Sequence, residues 1–192
     1  MPWVLRMLDR PAVAALELGH TSPGRMLSTG VAGLGAVAAA VLVAGSIEHG
    51  SEVLNRLRLD ALLAMLQALA VAVPALVVTL AVVRAPLHPR ALLACVAIGL
   101  LQGGMASLSL VPMVALLRAS AGLGQAPPLG TWLMLPFVTT GVVGVVLCRV
   151  VDAVESRPVI RVAARAFALL LIAGFAVRVL PAISLALREG PA

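Results

Sequence analysis

The sequence contains no lysine and no tyrosine, and aromatic residues make up only 3% of its 192 positions. Charged residues are equally scarce at 11%, against about 25% in soluble domains. So little charge excludes an ordinary soluble fold. A nucleic-acid surface would combine cations with aromatic stacking platforms, and those platforms are missing. The net charge of +6 therefore reads differently. All 14 basic residues are arginine and most stand at the ends of apolar runs, the placement of membrane-flanking positive charge. The two cysteines, Cys95 and Cys148, supply neither a disulfide framework nor a recognisable zinc spacing. Both read as small packing residues.

Chemistry-bearing patterns are also lacking. No GxSxG, Walker A or GxGxxG segment occurs, no histidine falls in mid-span, and none of the eight Asp and Glu residues lies deep in an apolar run. That removes the usual sources of acid–base, nucleophilic and proton-relay chemistry in a membrane. No catalytic residue, cofactor or metal ligand is expected, and the chain reads as a non-enzyme. Glu48, His49 and Glu52 come nearest to a metal constellation, and a solvated charged loop explains them as well. Met65, Met105, Met113 and Met134 read as packing residues rather than haem ligands.

What remains is apolar. Hydrophobic residues make up 61% of the chain and the mean hydropathy is +1.10. Long apolar runs separated by short polar links predict an all-α, polytopic integral membrane bundle of five transmembrane helices. The spans are expected at about 29–47, 61–83, 91–117, 131–148 and 162–187. They follow an interfacial or cytoplasmic segment over 1–28 and precede a short tail, 188–192. Within the first segment, Trp3, Val4, Met7 and Leu8 share one side of a possible helix. PAVAALELG has a proline suited to a first turn and a glycine suited to an end, so a short interfacial helix is expected there.

The third span carries the most pattern. Ala91, Cys95, Gly99, Gly103 and Ser107 recur every four residues and form one small-residue ridge. In the fourth span Pro136, Thr140, Gly144 and Cys148 repeat the spacing. Small ridges let helix backbones approach closely in lipid, so Cys95, Gly99, Gly103, Ser107, Thr140 and Gly144 are expected to pack the two spans together. Two amides, Gln67 and Gln102, are the intramembrane polar groups. The RAPLHPR link is short, which predicts an antiparallel hairpin of the second and third spans. Gln102 then reaches the depth of Ala70, whose carbonyl Pro74 leaves without its helical donor. A hydrogen bond between them would satisfy both groups. Trp132 stands where an interfacial aromatic belongs.

The polar link RVVDAVESRPVIR offers an Arg149–Asp152 pair at i, i+3. Arg157, Arg161 and Arg165 are spaced by four and predict a basic strip facing lipid phosphates. Arg178, near the far end of the last span, is expected to snorkel, and Pro181 to break or kink that helix. With the N-terminus inside, Arg6, Arg10, Arg25, Arg84, Arg90, Arg149, Arg157 and Arg161 fall on inner segments and Arg56, Arg58, Arg118 and Arg188 on outer ones. Eight against four predicts a cytoplasmic N-terminus. The Ala-, Val-, Leu-, Gly- and Arg-rich composition suits a GC-rich bacterial genome, hence a bacterial inner membrane.

Five spans, a cytoplasmic N-terminal segment, short links and the HPRALLACV start of the third span resemble the bacterial branch of the Yip1 family, over roughly residues 25–187. The resemblance implies a membrane-organising or partner-binding protein without enzymatic activity. The expected partners are the lipid bilayer and other membrane subunits or a second copy, with no nucleic acid. The leading functional expectation is a scaffold or accessory subunit of a membrane complex. The alternative is a small transporter or permease subunit moving a solute or lipid.

Overall fold

The computed structural model describes residues 9–47, 52–82, 84, 85, 87–120 and 134–189. Six helices and no strand are found among them: α1 (Pro11–Gly19), α2 (Pro23–Ile47), α3 (Glu52–Val82), α4 (Pro89–Ser120), α5 (Met134–Val154) and α6 (Pro158–Glu189). Four of the six begin on proline, whose missing N–H is no loss in a first turn and whose fixed φ suits it. Five contain stretches long and apolar enough to cross a bilayer: Pro23–Ser46, Arg58–Val82, Pro89–Leu117, Met134–Val154 and Pro158–Leu180. The side chains of Glu48, His49 and Glu52, the segment 3–8, and Trp132 lie outside the described residues.

Helix ends follow local chemistry. α1 keeps the bounds that Pro11 and Gly19 mark. At its end the Thr21 hydroxyl and backbone N–H both donate to the Leu18 carbonyl, at 2.7 and 3.0 Å. α3 ends in a left-handed turn at Arg84, φ 51°. There the Arg84 N–H donates to the Ala81 carbonyl and the Ala85 N–H to the Leu80 carbonyl. This is the Schellman pattern, with arginine in the place that glycine usually takes.

Several helix boundaries differ from the sequence reading, the start of α3 most of all. α3 starts at Glu52, so most of the link read as a polar loop is helical. Its Leu, Glu and Arg are good helix formers, and Arg58 folds inward to a buried position. Pro74 and Pro112 sit inside α3 and α4 without ending them. α6 likewise runs on past position 181 to Glu189, so the helix does not break at Pro181.

α4 is the centre of the bundle. α2 packs along one side of it and α5 along the other, and α1 lies across its Pro89 end and onto α5. α6 packs on α5, and α3 has α6 as its main neighbour. Burial follows this order: 61% and 56% of the apolar windows of α4 and α5 are buried, against 28% in α2, α3 and α6. The expected hairpin is therefore not the main pairing, since α3 and α4 touch only slightly. α2 takes the place at α4 because its glycines allow it. A Cβ placed on Gly33 would fall 2.5 Å from the Leu100 carbonyl carbon, and one on Gly104 would fall 2.7 Å from the Gly33 oxygen. α3 presents Met65, Leu69, Leu76 and Leu80 inward instead, and such side chains hold a neighbour further away.

Two apolar clusters fill the bundle. Near the Pro89 end of α4, Ala14, Ala15 and Leu18 of α1 join Leu92, Cys95, Ile98, Val150 and Ile160. α1 thus commits its apolar face to protein rather than to lipid headgroups alone. Further along, Val37, Val41, Met65, Leu69, Leu135, Val143, Leu171 and Phe175 form the second cluster. Burying one such leucine or phenylalanine in a water-soluble core would contribute about 1.5–3 kcal/mol. In lipid that term is absent between helices, and close packing and interhelical hydrogen bonds replace it.

Candidate functional site

Three places gather polar or small residues. The first is the seam of α4 and α5. Gly99 meets Val143 and Gly103 meets Thr139: a Cβ on either glycine would fall 2.7 Å from the partner's Cα. One turn on, Ser107 Oγ donates to the Leu135 carbonyl at 2.9 Å and lies 3.0 Å from Thr139 Oγ1. Thr139 Oγ1 donates to the same carbonyl at 3.0 Å. Each step of four along α4 is a step of four back along α5, which fixes an antiparallel register. Cys95 is buried at the start of this ridge.

The α5 side of the seam is Leu135, Thr139 and Val143, one position over from the small ridge read in the sequence. That ridge turns elsewhere. A Cβ on Gly144 would meet Ala168 of α6 at 3.1 Å, and the buried Thr140 hydroxyl donates to the Pro136 carbonyl of its own helix at 2.8 Å. Among the described residues, neither the Ser107 nor the Thr139 hydroxyl has a carboxylate or imidazole as partner. Their partners are a carbonyl and each other, so the arrangement ties helices rather than making a nucleophile.

Gln102 is half-buried and lines a hollow with Val138, Gly141, Val142 and Val145 of α5. Ala70 and Pro74 are exposed on α3. The amide therefore lies on the α5 side of α4, because α3 is not its neighbour.

The second place is the turn between α5 and α6. Arg161 and Arg165 lie in the first turns of α6 and Arg157 just precedes it, and acidic and carbonyl groups hold all three. The Arg157 guanidinium bonds both carboxylate oxygens of Glu155, at 3.0 and 2.8 Å, and its backbone N–H donates to the same carboxylate at 3.1 Å. These bonds from Arg157 pull the Glu155 carboxyl down to about 2 from its ordinary 4.5, and in return raise Arg157. Arg161 donates to the Glu155 and Asp152 carbonyls at 2.8 and 3.3 Å, capping the C-terminal end of α5 where cations are favoured. Asp152 pairs with Arg161 at 3.6 Å and Arg165 at 3.4 Å, rather than with Arg149, which is exposed. A further bond of 3.2 Å runs from Arg157 to the Arg84 carbonyl, tying the end of α3 to the start of α6. The four-residue spacing drew attention to these three arginines. It gave no sign of Glu155, a carboxylate of the same link that the fold buries.

The third place is a groove of about 410 Å³ between α3 and α6. Ala64, Ala68, Val71, Leu170 and Gly174 are among its walls, and Gln67 and Arg178 are its polar groups. Arg178 is exposed, in keeping with snorkelling, and it shares this groove with an amide. Arg58 also departs from expectation. Read as an outer-loop cation, it is buried with its guanidinium close over Gly45: a Cβ there would fall 2.5 Å from a terminal nitrogen. No group of three potential metal ligands occurs among the described residues.

Comparison with family models, curated proteins and solved structures gives no match. The class rests on the fold itself: an all-helical, multi-pass membrane protein whose apolar helices contact the lipid bilayer.

Proposed function

We propose that this chain is a non-enzymatic membrane protein that serves as a scaffold or accessory subunit of a membrane complex. One observation supports this reading most. Backbone-level contact closes the middle of the bundle, α4 lying against α5 at Gly99 and Gly103 and against α2 at Gly33 and Gly104. Helix backbones in such contact leave no room between them for a substrate chamber or a solute path. The work then falls to the outward faces of α2, α3 and α6, where other membrane subunits or a second copy would dock. A membrane-organising role of the kind a Yip1-like layout implies is in keeping with this. The arginine distribution favours a cytoplasmic N-terminus in a bacterial inner membrane.

The test is extraction of the tagged full chain from native membranes in mild detergent. A stoichiometric membrane-protein partner is the expected result. Substrate-dependent flux in liposomes holding this protein alone would establish the transporter reading and overturn the proposal.

A further inference from the structure

The groove between α3 and α6 has a polar end and an apolar end. Arg157 bonds the Arg84 carbonyl, which sets the two antiparallel helices level at that point. From there Gln67 is 17 residues back along α3 and Arg178 is 21 residues on along α6. At 1.5 Å per residue these are roughly 25 and 31 Å. Arg178 therefore lies about one helical turn beyond Gln67, on the side of the membrane opposite the Arg157–Glu155 cluster. With a hydrocarbon core of about 30 Å, the guanidinium reaches phosphate depth and the amide sits one turn below. Beneath both, the walls are Val71, Ala75, Phe167 and Leu170.

Among the described residues, neither Gln67 nor Arg178 has a hydrogen bond or ion pair. The other arginines of α6 that the structure describes, Arg161 and Arg165, both have acidic partners. An amide facing hydrocarbon needs a partner and a cation at phosphate depth attracts one, and the described residues supply neither. The volume, about 410 Å³, is within the roughly 300–1,000 Å³ of small-molecule sites.

We propose that this groove binds one anionic phospholipid. Its phosphate accepts hydrogen bonds from Arg178, the amide of Gln67 donates to an ester carbonyl one turn deeper, and an acyl chain lies along Val71, Ala75 and Leu170. An anionic headgroup fits better than a zwitterionic one, because an ammonium on the lipid would compete with Arg178 for the phosphate. The proposal does not depend on the scaffold reading.

The full chain is purified in mild detergent, washed free of lipid, and titrated with phosphatidylglycerol or, in parallel, phosphatidylcholine. Native mass spectrometry counts the bound lipid. One saturable phosphatidylglycerol per chain is expected, with clear preference over phosphatidylcholine. R178Q weakens it roughly tenfold, the scale of one charge-assisted contact. A Cβ on Gly174 would have nothing within 4 Å, so G174L fills the groove without disturbing the helices and abolishes binding with Arg178 intact. R165Q, at the other end of α6, leaves binding unchanged. Equal affinity for both lipids, or wild-type binding by R178Q or G174L, overturns the proposal. So does an equal loss in R165Q, or a co-purifying protein that occupies the groove in place of lipid.

Discussion

The Ser107 hydroxyl of α4 donates to the Leu135 carbonyl of α5 at 2.9 Å, with both groups buried. Thr139 completes a triangle of oxygens at 3.0 Å on each of its two sides. Ser107→Ala should lower stability by about 1 kcal/mol, the scale of one interhelical hydrogen bond in a membrane bundle. Ser107→Ala and Thr139→Val should be non-additive, because they share the Leu135 carbonyl. Thermal unfolding in detergent of the two single variants and the double variant measures both effects. Strict additivity would mean that the triangle does not act as a unit.

The glycines divide sharply by what surrounds them. Gly33→Ala, Gly99→Ala and Gly103→Ala each put a methyl within 2.7 Å of backbone on a neighbouring helix. Overpacking of this kind costs about 1–3 kcal/mol, so each should lower the unfolding temperature. Gly35→Ala and Gly141→Ala meet nothing within 4 Å and should leave stability unchanged or slightly raised, since alanine is the better helix former. Equal effects in the two groups would contradict the close approach of α4 to α2 and α5.

Glu155 gives the fold a pH dependence of known sign. Its carboxyl is held at about 2, mainly by Arg157, against an ordinary 4.5. A lowered carboxylate contributes stability that is present above the unfolded value and is lost as pH falls through the folded one. The α5–α6 turn should therefore loosen progressively as pH falls from 4.5 to about 2. Glu155→Gln should remove that part of the acid sensitivity while lowering stability at neutral pH. Unfolding temperature against pH for both proteins checks this; parallel curves would show that Glu155 takes no part.

Much of the fold was legible in the sequence, because hydropathy runs and flanking arginines state the spans directly and Pro11 and Gly19 mark the short first helix. The small ridge of α4 was legible as well, since four-residue spacing places residues on one face whatever packs there. Its neighbour's register was not. Thr140 and Gly144 share a ridge of α5, yet it is the adjacent face, Leu135, Thr139 and Val143, that meets α4. Periodicity ranks the faces of one helix and says nothing of which helix each will meet. The Gln102–Ala70 pairing went astray for the same reason: a short link fixes where the next helix starts, not which helix it packs against. Arg58 was illegible because its burial comes from its approach to Gly45 of another helix, and Glu155 because it pairs with Arg157 two residues on, a spacing that helical periodicity does not pair. Gln67 and Arg178 lie 111 residues apart, and only the pairing of α3 with α6 brings them to one groove.

Disulfide formation between paired cysteines in native membranes tests the helix arrangement most directly, in a Cys95→Ser, Cys148→Ser background. A Cβ at Gly30 lies 3.7 Å from the Ala97 Cβ, within the roughly 3.5–4.5 Å that a disulfide spans. Gly30→Cys with Ala97→Cys should cross-link rapidly, tying α2 to α4. Ala70→Cys with Gln102→Cys, the pair that a packed α3–α4 hairpin would bring together, should not. Cross-linking of the second pair in preference to the first would contradict a bundle centred on α4 between α2 and α5.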